Sequence, residues 1–216
     1  MNVTSLAATL DGFNEMVFYG RPLPQSGEAV AWIASRQVKS GVQAGMFVPT
    51  DDDYREGVTL FTGEKLRTKL AARSVLTAEA ARALMLAGEE STEIQDALAR
   101  ANRWLFGQCF SRSCTVGECA HSTVGLMRYL AVAKLDDAEQ RLDRHVNALS
   151  EHRDGKGRWK RFPFYYTLLA LTEIALPAII AELRYAAPAC TRALARMMED
   201  DRFSSRRRVI LQKALE

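Results

Sequence analysis

Apolar residues recur along most of this chain at spacings of three and four, the mark of helices that bury one face. No stretch alternates apolar and polar positions long enough to argue for a sheet. The pattern predicts a first helix from about Thr4 to Phe18, stopped near Gly20-Arg-Pro-Leu-Pro24, where two prolines forbid its continuation. A second runs from Gly27 to about Val38 with Val30, Trp32 and Ile33 on its apolar side. After an irregular stretch from Gly41 to Gly63, a long helix is expected from Glu64 to Ala87, divided near Thr77, with Leu66, Leu70, Leu84 and Leu86 as core positions and Gly88 as its stop. Thr92 and Gln95 fit a capping box for the next helix, in which Ile94, Leu98, Ala101 and Leu105 form the stripe. Further helices follow from Ser122 to about Lys134, from Asp136 to about His152 with Leu142, Val146 and Leu149, and from Phe164 to Ala175. Pro177 and Pro188 each suit a first helical turn, so two more starts are expected there, and Ser204 or Ser205 caps the last helix.

The segments beginning at Thr77, Thr123 and Thr167 superpose at intervals of about 45 residues, each an apolar helix followed by a more polar one. That is an all-α, two-layer array of helical hairpins, with the apolar helices inside. We expect a single helical domain over 1–216, in which 1–60 supplies N-terminal helices and the irregular loop and 61–216 the helical pairs. The loops Gly107–His121 and Arg153–Pro163 both lead from an outer to an inner helix and should emerge at one end, which the acidic loop near Asp51 may be expected to join. Helix N-termini at that end favour anions.

Composition narrows the class without naming a reaction. The 216 residues are 48% hydrophobic and 25% charged, as in ordinary globular proteins, with a formal charge of +3. That charge is too mild to argue for nucleic acid, and the run Arg206-Arg207-Arg208 fits a solvated helix start. The N-terminal residues lack a signal-peptide pattern and no stretch has the apolar length of a membrane span, so a soluble cytoplasmic protein is expected. Four cysteines in a reducing compartment read as free thiols or metal ligands rather than a disulfide framework.

Three of them lie in Cys109-Phe-Ser-Arg-Ser-Cys114-Thr-Val-Gly-Glu-Cys119-Ala-His121. Thiolates and imidazole suit zinc, and Cys109, Cys114, Cys119 and His121 are the candidate ligands, with His152 from the next hairpin as an alternative. Iron–sulfur ligation has less support from this spacing. Two other readings stay open: the cysteines may be expected to pack a tight loop as small apolar groups, or Cys114 and Cys119, near Arg112 and a helix start, to act as activated thiols. Asp51-Asp52-Asp53 suggests a helix cap or, alternatively, a cation site. Trp159, Tyr165 and Tyr166 could line an apolar pocket, and Arg112, Arg153 and Arg161 could receive a phosphate or carboxylate; packing and solubility are the plain alternatives. His145, on an outer helix, is expected to be partly exposed and inert.

The hairpin repeat, together with Asp154-Gly-Lys-Gly157-Arg-Trp159 ahead of Phe-Pro-Phe-Tyr-Tyr-Thr-Leu-Leu-Ala-Leu, resembles the α/α-toroid superfamily of prenyltransferase β subunits, terpene cyclases and lanthionine cyclases, over about Thr62 to Arg184. Departures are visible: Asp51-Asp52-Asp53-Tyr54 lacks the Asp-x-Asp-Asp spacing, and Glu118-Cys119 with His121 only loosely echoes the prenyltransferase zinc ligands. A full ring of such hairpins exceeds this length, so the resemblance implies a shortened or partial ring. The expectation is a domain that binds a small molecule at the loop end of the inner helices. Metal-assisted transferase or lyase chemistry would use Cys119, His121 and Arg112 as catalytic groups and Trp159, Arg161, Tyr165 and Tyr166 for the substrate. The alternative is a non-catalytic module presenting its helical array to a protein partner or a second copy.

Overall fold

The computed structural model describes residues 4–23, 27–89, 91–198 and 201–216. These fold into ten α-helices: α1 (Leu6–Phe18), α2 (Gly27–Ser35), α3 (Asp51–Glu56), α4 (Lys69–Ala87), α5 (Thr92–Gly107), α6 (Cys119–Leu130), α7 (Ala138–Glu151), α8 (Phe164–Glu173), α9 (Pro177–Ala195) and α10 (Arg202–Lys213). A 3-10 turn, Cys109–Arg112, joins α5 to the loop before α6. Among the described residues there is no strand, only isolated bridges such as Arg153 with Trp159. No described helix is long and apolar enough to cross a membrane.

The helices differ in burial as their composition requires. In α6 and α8 nearly every residue is buried, whereas α5 and α7 bury a single stripe: Ile94, Leu98, Ala101 and Leu105 in α5, and Leu142, Val146 and Leu149 in α7. The central helix is α4, which packs most extensively on α6 and also meets α1, α2 and α5. Its run of alanines lets neighbours approach closely, and Gly125 on α6 completes the fit: a Cβ there would lie 3.2 Å from the Tyr166 hydroxyl and 3.5 Å from Ala78 Cβ. At the other edge Arg206 ties α10 back to α1, donating to Asp11 at 2.8 and 3.0 Å and to Glu15 at 2.6 Å.

The starts of several helices are joined by carboxylates, though Thr77, Thr123 and Thr167 all lie inside their helices rather than at the starts. Glu118, the residue just before α6, accepts from the N–H groups of Arg67 and Thr68 at the start of α4. Glu64 does the same for Tyr165 and Tyr166 at the start of α8, and Asp53 for Leu6 and Ala7 at the start of α1. Each carboxylate satisfies orphan donors and meets the positive end of a helix dipole. About ten residues into the same four helices lie Asn14, Glu79, Arg128 and Glu173, which meet in one layer.

Several local expectations need correction. The helix expected from Glu64 begins at Lys69, because Leu60 to Leu66 forms a turn closed by Leu60 N–H to Glu64 O and Leu66 N–H to Val58 O; Thr68 caps the helix instead. Thr77 is no helix start but lies in the middle of α4, where its hydroxyl accepts from Phe47 N–H. Leu70 faces solvent at 65% exposure. Ser91, not Thr92, caps α5, and Asp201, not Ser204 or Ser205, caps α10. Pro188 starts no helix: it sits on the solvent side of α9, where the carbonyl of exposed Arg184 left without a partner can be hydrated. The acidic run is a cap, with Asp53 in a capping box with Thr50. Pro24, expected to help end α1, lies outside the described residues.

Candidate functional site

The sulfurs of Cys109, Cys114 and Cys119 lie within 4.8 Å of one another, so the sequence stretch does converge, and three thiols in this arrangement can hold a metal ion. Each arrives on a different piece of backbone. Cys109 opens the 3-10 turn, Cys114 follows Ser113 in a left-handed conformation (φ 61°), and Cys119 is the first residue of α6. The Cys109 and Cys119 sulfurs are 3.7 Å apart. Cys109 is exposed and the other two are half-buried, so the group opens to solvent.

The loop is held by polar side chains rather than by its own length. Thr123 donates to the carbonyls of Phe110 and Cys114, each at 3.3 Å, pinning the loop on α6. Ser111 closes the 3-10 turn onto Phe106 O and Gln108 O. From α7, His145 Nδ1 meets Ser113 Oγ at 2.9 Å and His152 Nε2 meets Thr115 Oγ1 at 3.1 Å. His145 is therefore not the partly exposed bystander expected. It is buried, one position from Val146 on the inward stripe, and burial pushes its pKa down to about 4.

The electrostatics of the three thiols differ. The Val116 backbone lowers the pKa of Cys114, whereas burial, followed by the neighbouring thiols Cys109 and Cys114, pushes Cys119 up to about 12. Cys114 therefore gives up its proton before Cys119, whose burial and thiol neighbours both oppose a second negative charge unless a cation lies among them. The N-terminus of α6 adds a favourable field: unlike α1, α4 and α8, it receives no carboxylate cap among the described residues, and its N-cap Glu118 is turned toward α4.

The two candidate histidine ligands stand outside this sulfur group. His152 has both ring nitrogens occupied, since Nδ1 is 2.8 Å from Ala148 O and Nε2 meets Thr115; it positions the loop. His121 lies in the first turn of α6 with a buried, unpartnered Nδ1; burial lowers its pKa, Glu118 raises it and Arg67 lowers it further. Arg112 is exposed at the end of the 3-10 turn beside the thiols in sequence.

The expected substrate residues divide. Trp159 is buried and donates from Nε1 to Glu182 at 2.8 Å, and Tyr166 is buried with its hydroxyl 2.5 Å from Glu79, so both are core groups and neither lines a ligand pocket. Arg153 is committed to Glu182 at 2.7 Å. Arg161 is exposed in a left-handed turn (φ 70°). Tyr165 alone of the set lines a surface cavity, with arginines the sequence did not single out.

What fills the middle of α4, α6 and α8 is an ionic quartet, buried except for the partly exposed Glu173. Arg128, 1% exposed, pairs with Glu79 and, at 2.8 and 2.9 Å, with Glu173; Arg82 donates to Glu173 at 3.1 Å and to Asn14 at 2.9 Å. The two guanidiniums and two carboxylates sum to zero charge. Beside them, between Asn14, Glu79, Tyr166 and the segment Val58–Phe61, lies a void of about 20 Å3, enough for one water. These residues were not foreseen, though a signal existed: α8 carries one charged residue, Glu173, and Arg128 is the one Lys, Arg, Asp or Glu in α6. Comparison of the chain with protein-family models, with curated proteins and with solved structures found no match in any of the three.

Proposed function

We propose that the chain is a metal-binding helical domain of shortened α/α-toroid type, in which Cys109, Cys114 and Cys119 hold a zinc ion and the fourth coordination position takes a small-molecule ligand. The observation that carries this reading is the convergence of three sulfurs from three pieces of backbone at the loop end of the inner helices. Zinc–sulfur bonds of about 2.3 Å in a tetrahedron place sulfurs roughly 3.8 Å apart, and the 3.7 Å between Cys109 and Cys119 suits that edge. The common orientation of α1, α4, α6 and α8, with polar helices outside, supports the toroid part.

A zinc ion at this position supplies Lewis acidity to whatever occupies its open side. The chain's own residues do the rest. Thr123, His145 and His152 fix the loop that carries the thiols, so that little reorganisation accompanies binding. The uncapped N-terminus of α6 favours the thiolate form of Cys119 once a cation offsets its neighbours. Exposed Arg112 can receive an anionic group on the ligand. Metal-assisted transfer or elimination is the reaction class that fits an open three-thiolate centre.

The test is metal analysis of protein purified in the presence of zinc, with cobalt(II) replacement read by its thiolate charge-transfer absorption. One equivalent of metal is expected, reduced in each of Cys109→Ser, Cys114→Ser and Cys119→Ser. Substoichiometric metal in the wild type, together with zinc-independent thermal stability in all three variants, sinks the proposal.

A further inference from the structure

Away from the thiols, a surface cavity of about 370 Å3 is formed where the second half of α9 and the first turns of α10 face the start of α8. Four of its lining residues are arginines: Arg158 from the loop before α8, Arg192 and Arg196 from α9, and Arg207 from α10; Tyr165 and Ser204 complete its polar wall. Among the described residues, no aspartate or glutamate lines it. Of the described carboxylates nearby, Asp201 accepts from the N–H groups of Phe203 and Ser204, and Glu64, which accepts from those of Tyr165 and Tyr166, also feels the charge of Arg207.

The contacts that hold the guanidiniums are largely to uncharged groups. Arg207 donates from Nε to Thr62 O at 2.7 Å and lies 4.6 Å from the centre of the Tyr165 ring. Arg158 stacks 4.4 Å from the centre of Phe164, and Arg192 donates to Lys156 O at 2.6 Å. None of these contacts removes charge, and each leaves guanidinium N–H groups free, since arginine carries five. Arg196 is exposed at the end of α9, and among the described residues no ion pair involves Arg158, Arg192, Arg196 or Arg207. Four like charges around one concavity repel one another; a polyanion between them reverses the sign of every one of those interactions.

We propose that this cavity binds a small ligand through a diphosphate or comparably dense phosphate group. Planar, forked donors converging from several directions match phosphate oxygens, which accept from arginine in bidentate fashion. The cavity's volume falls in the range of small-molecule sites, and Met197 and Met198 give it an apolar margin for the remainder of the ligand. A concave site of this size fits a small phosphorylated molecule better than a nucleic-acid backbone, which is tracked by an extended basic groove. The proposal does not rest on the thiolate centre.

Inorganic pyrophosphate is the probe, titrated calorimetrically against the full chain, with inorganic phosphate and a single-stranded oligonucleotide as comparisons. Saturable one-to-one binding of pyrophosphate is expected, tighter than phosphate. Arg192→Ala and Arg196→Ala should each weaken it about tenfold or more, the worth of a charge-assisted hydrogen bond, while Arg103→Ala, an exposed arginine on α5, leaves it unchanged. Both site residues are exposed, so unfolding midpoints equal to wild type verify that the variants fold. No saturable binding, equal weakening by Arg103→Ala, or oligonucleotide binding that exceeds pyrophosphate and shows the same arginine dependence would each overturn the proposal.

Discussion

Arg128→Met tests whether the ionic quartet is a balanced unit. Arg128 contributes one of its two positive charges and bonds to Glu79, Glu173 and Asn14 from a site 1% exposed. Methionine fills much of the volume but leaves buried Glu79 and partly exposed Glu173 facing Arg82 alone. Removing one partner of such a group costs about 3–5 kcal/mol, a large share of the total stability of a domain, and lowers the urea midpoint by roughly 1–3 M. A second variant isolates the charge: Glu79→Gln with Arg128→Met leaves Arg82 and Glu173 as a neutral pair and should be more stable than Arg128→Met alone. The pH response carries an independent sign. In the wild type burial pushes the Glu79 pKa up, but Arg128 and Arg82 outweigh it and hold the carboxyl below its usual range. Its contribution is therefore present above the unfolded pKa and lost as pH falls through the lower folded value. In Arg128→Met the main opposing cation is gone and burial dominates, so the folded pKa rises and the variant recovers stability relative to wild type between neutral pH and about pH 5. A loss below about 1 kcal/mol, or a double variant whose loss equals the sum of its parts, would show that the quartet is not coupled and refute the reasoning.

Two further expectations concern the scaffold of the candidate sites. Burial holds the His145 pKa near about 4, below the 6.5 of the free ring, so its share of stability is complete above pH 6.5 and lost as pH falls toward 4. Between pH 7 and 5 that share amounts to about 2 kcal/mol, and the pH dependence of the urea midpoint should flatten accordingly in His145→Gln; identical slopes in the two proteins contradict the assignment. Gly157, at φ 88°, lies where a Cβ would approach Ala189 Cβ to 2.9 Å and Tyr185 O to 3.2 Å. Gly157→Ala should lose about 1–3 kcal/mol from strain and overpacking, measured by urea unfolding, and an unchanged midpoint would mean that this turn yields easily.

The helices were legible where their burial is one-sided. In α5 and α7 the apolar stripe alternates with polar residues at the helical period, so both existence and facing could be read directly. The starts of α4, α5 and α10 differ from expectation through local turns and caps, the Leu60–Leu66 turn with Thr68, then Ser91 and Asp201; what no local window shows is which remote carboxylate meets a helix start. Glu118 accepts from the residues before α4 across some fifty positions, and Glu64 from the start of α8 across about a hundred, and no local window contains such pairs. His145, at helical spacing from Leu142 and Leu149, lies on the buried face despite its polar ring, which Ser113 from the cysteine loop satisfies.

The sites divide along the same line. A short loop with three cysteines already limits how far apart their sulfurs can be, so their convergence was foreseeable, while the exclusion of His152 depended on Thr115 and Ala148 meeting its ring. The arginine cavity draws on a loop and two helices from Arg158 to Arg207, and the ionic quartet on α4, α6 and α8 with Asn14 of α1, so neither has a local signature. By itself the sequence determined an all-helical chain, the buried stripes of α5 and α7, and a short loop that brings three cysteines together. Only the tertiary structure decided which charges are buried and which are left unpaired, because a charge's cost and chemistry are set by neighbours that folding brings from remote parts of the chain.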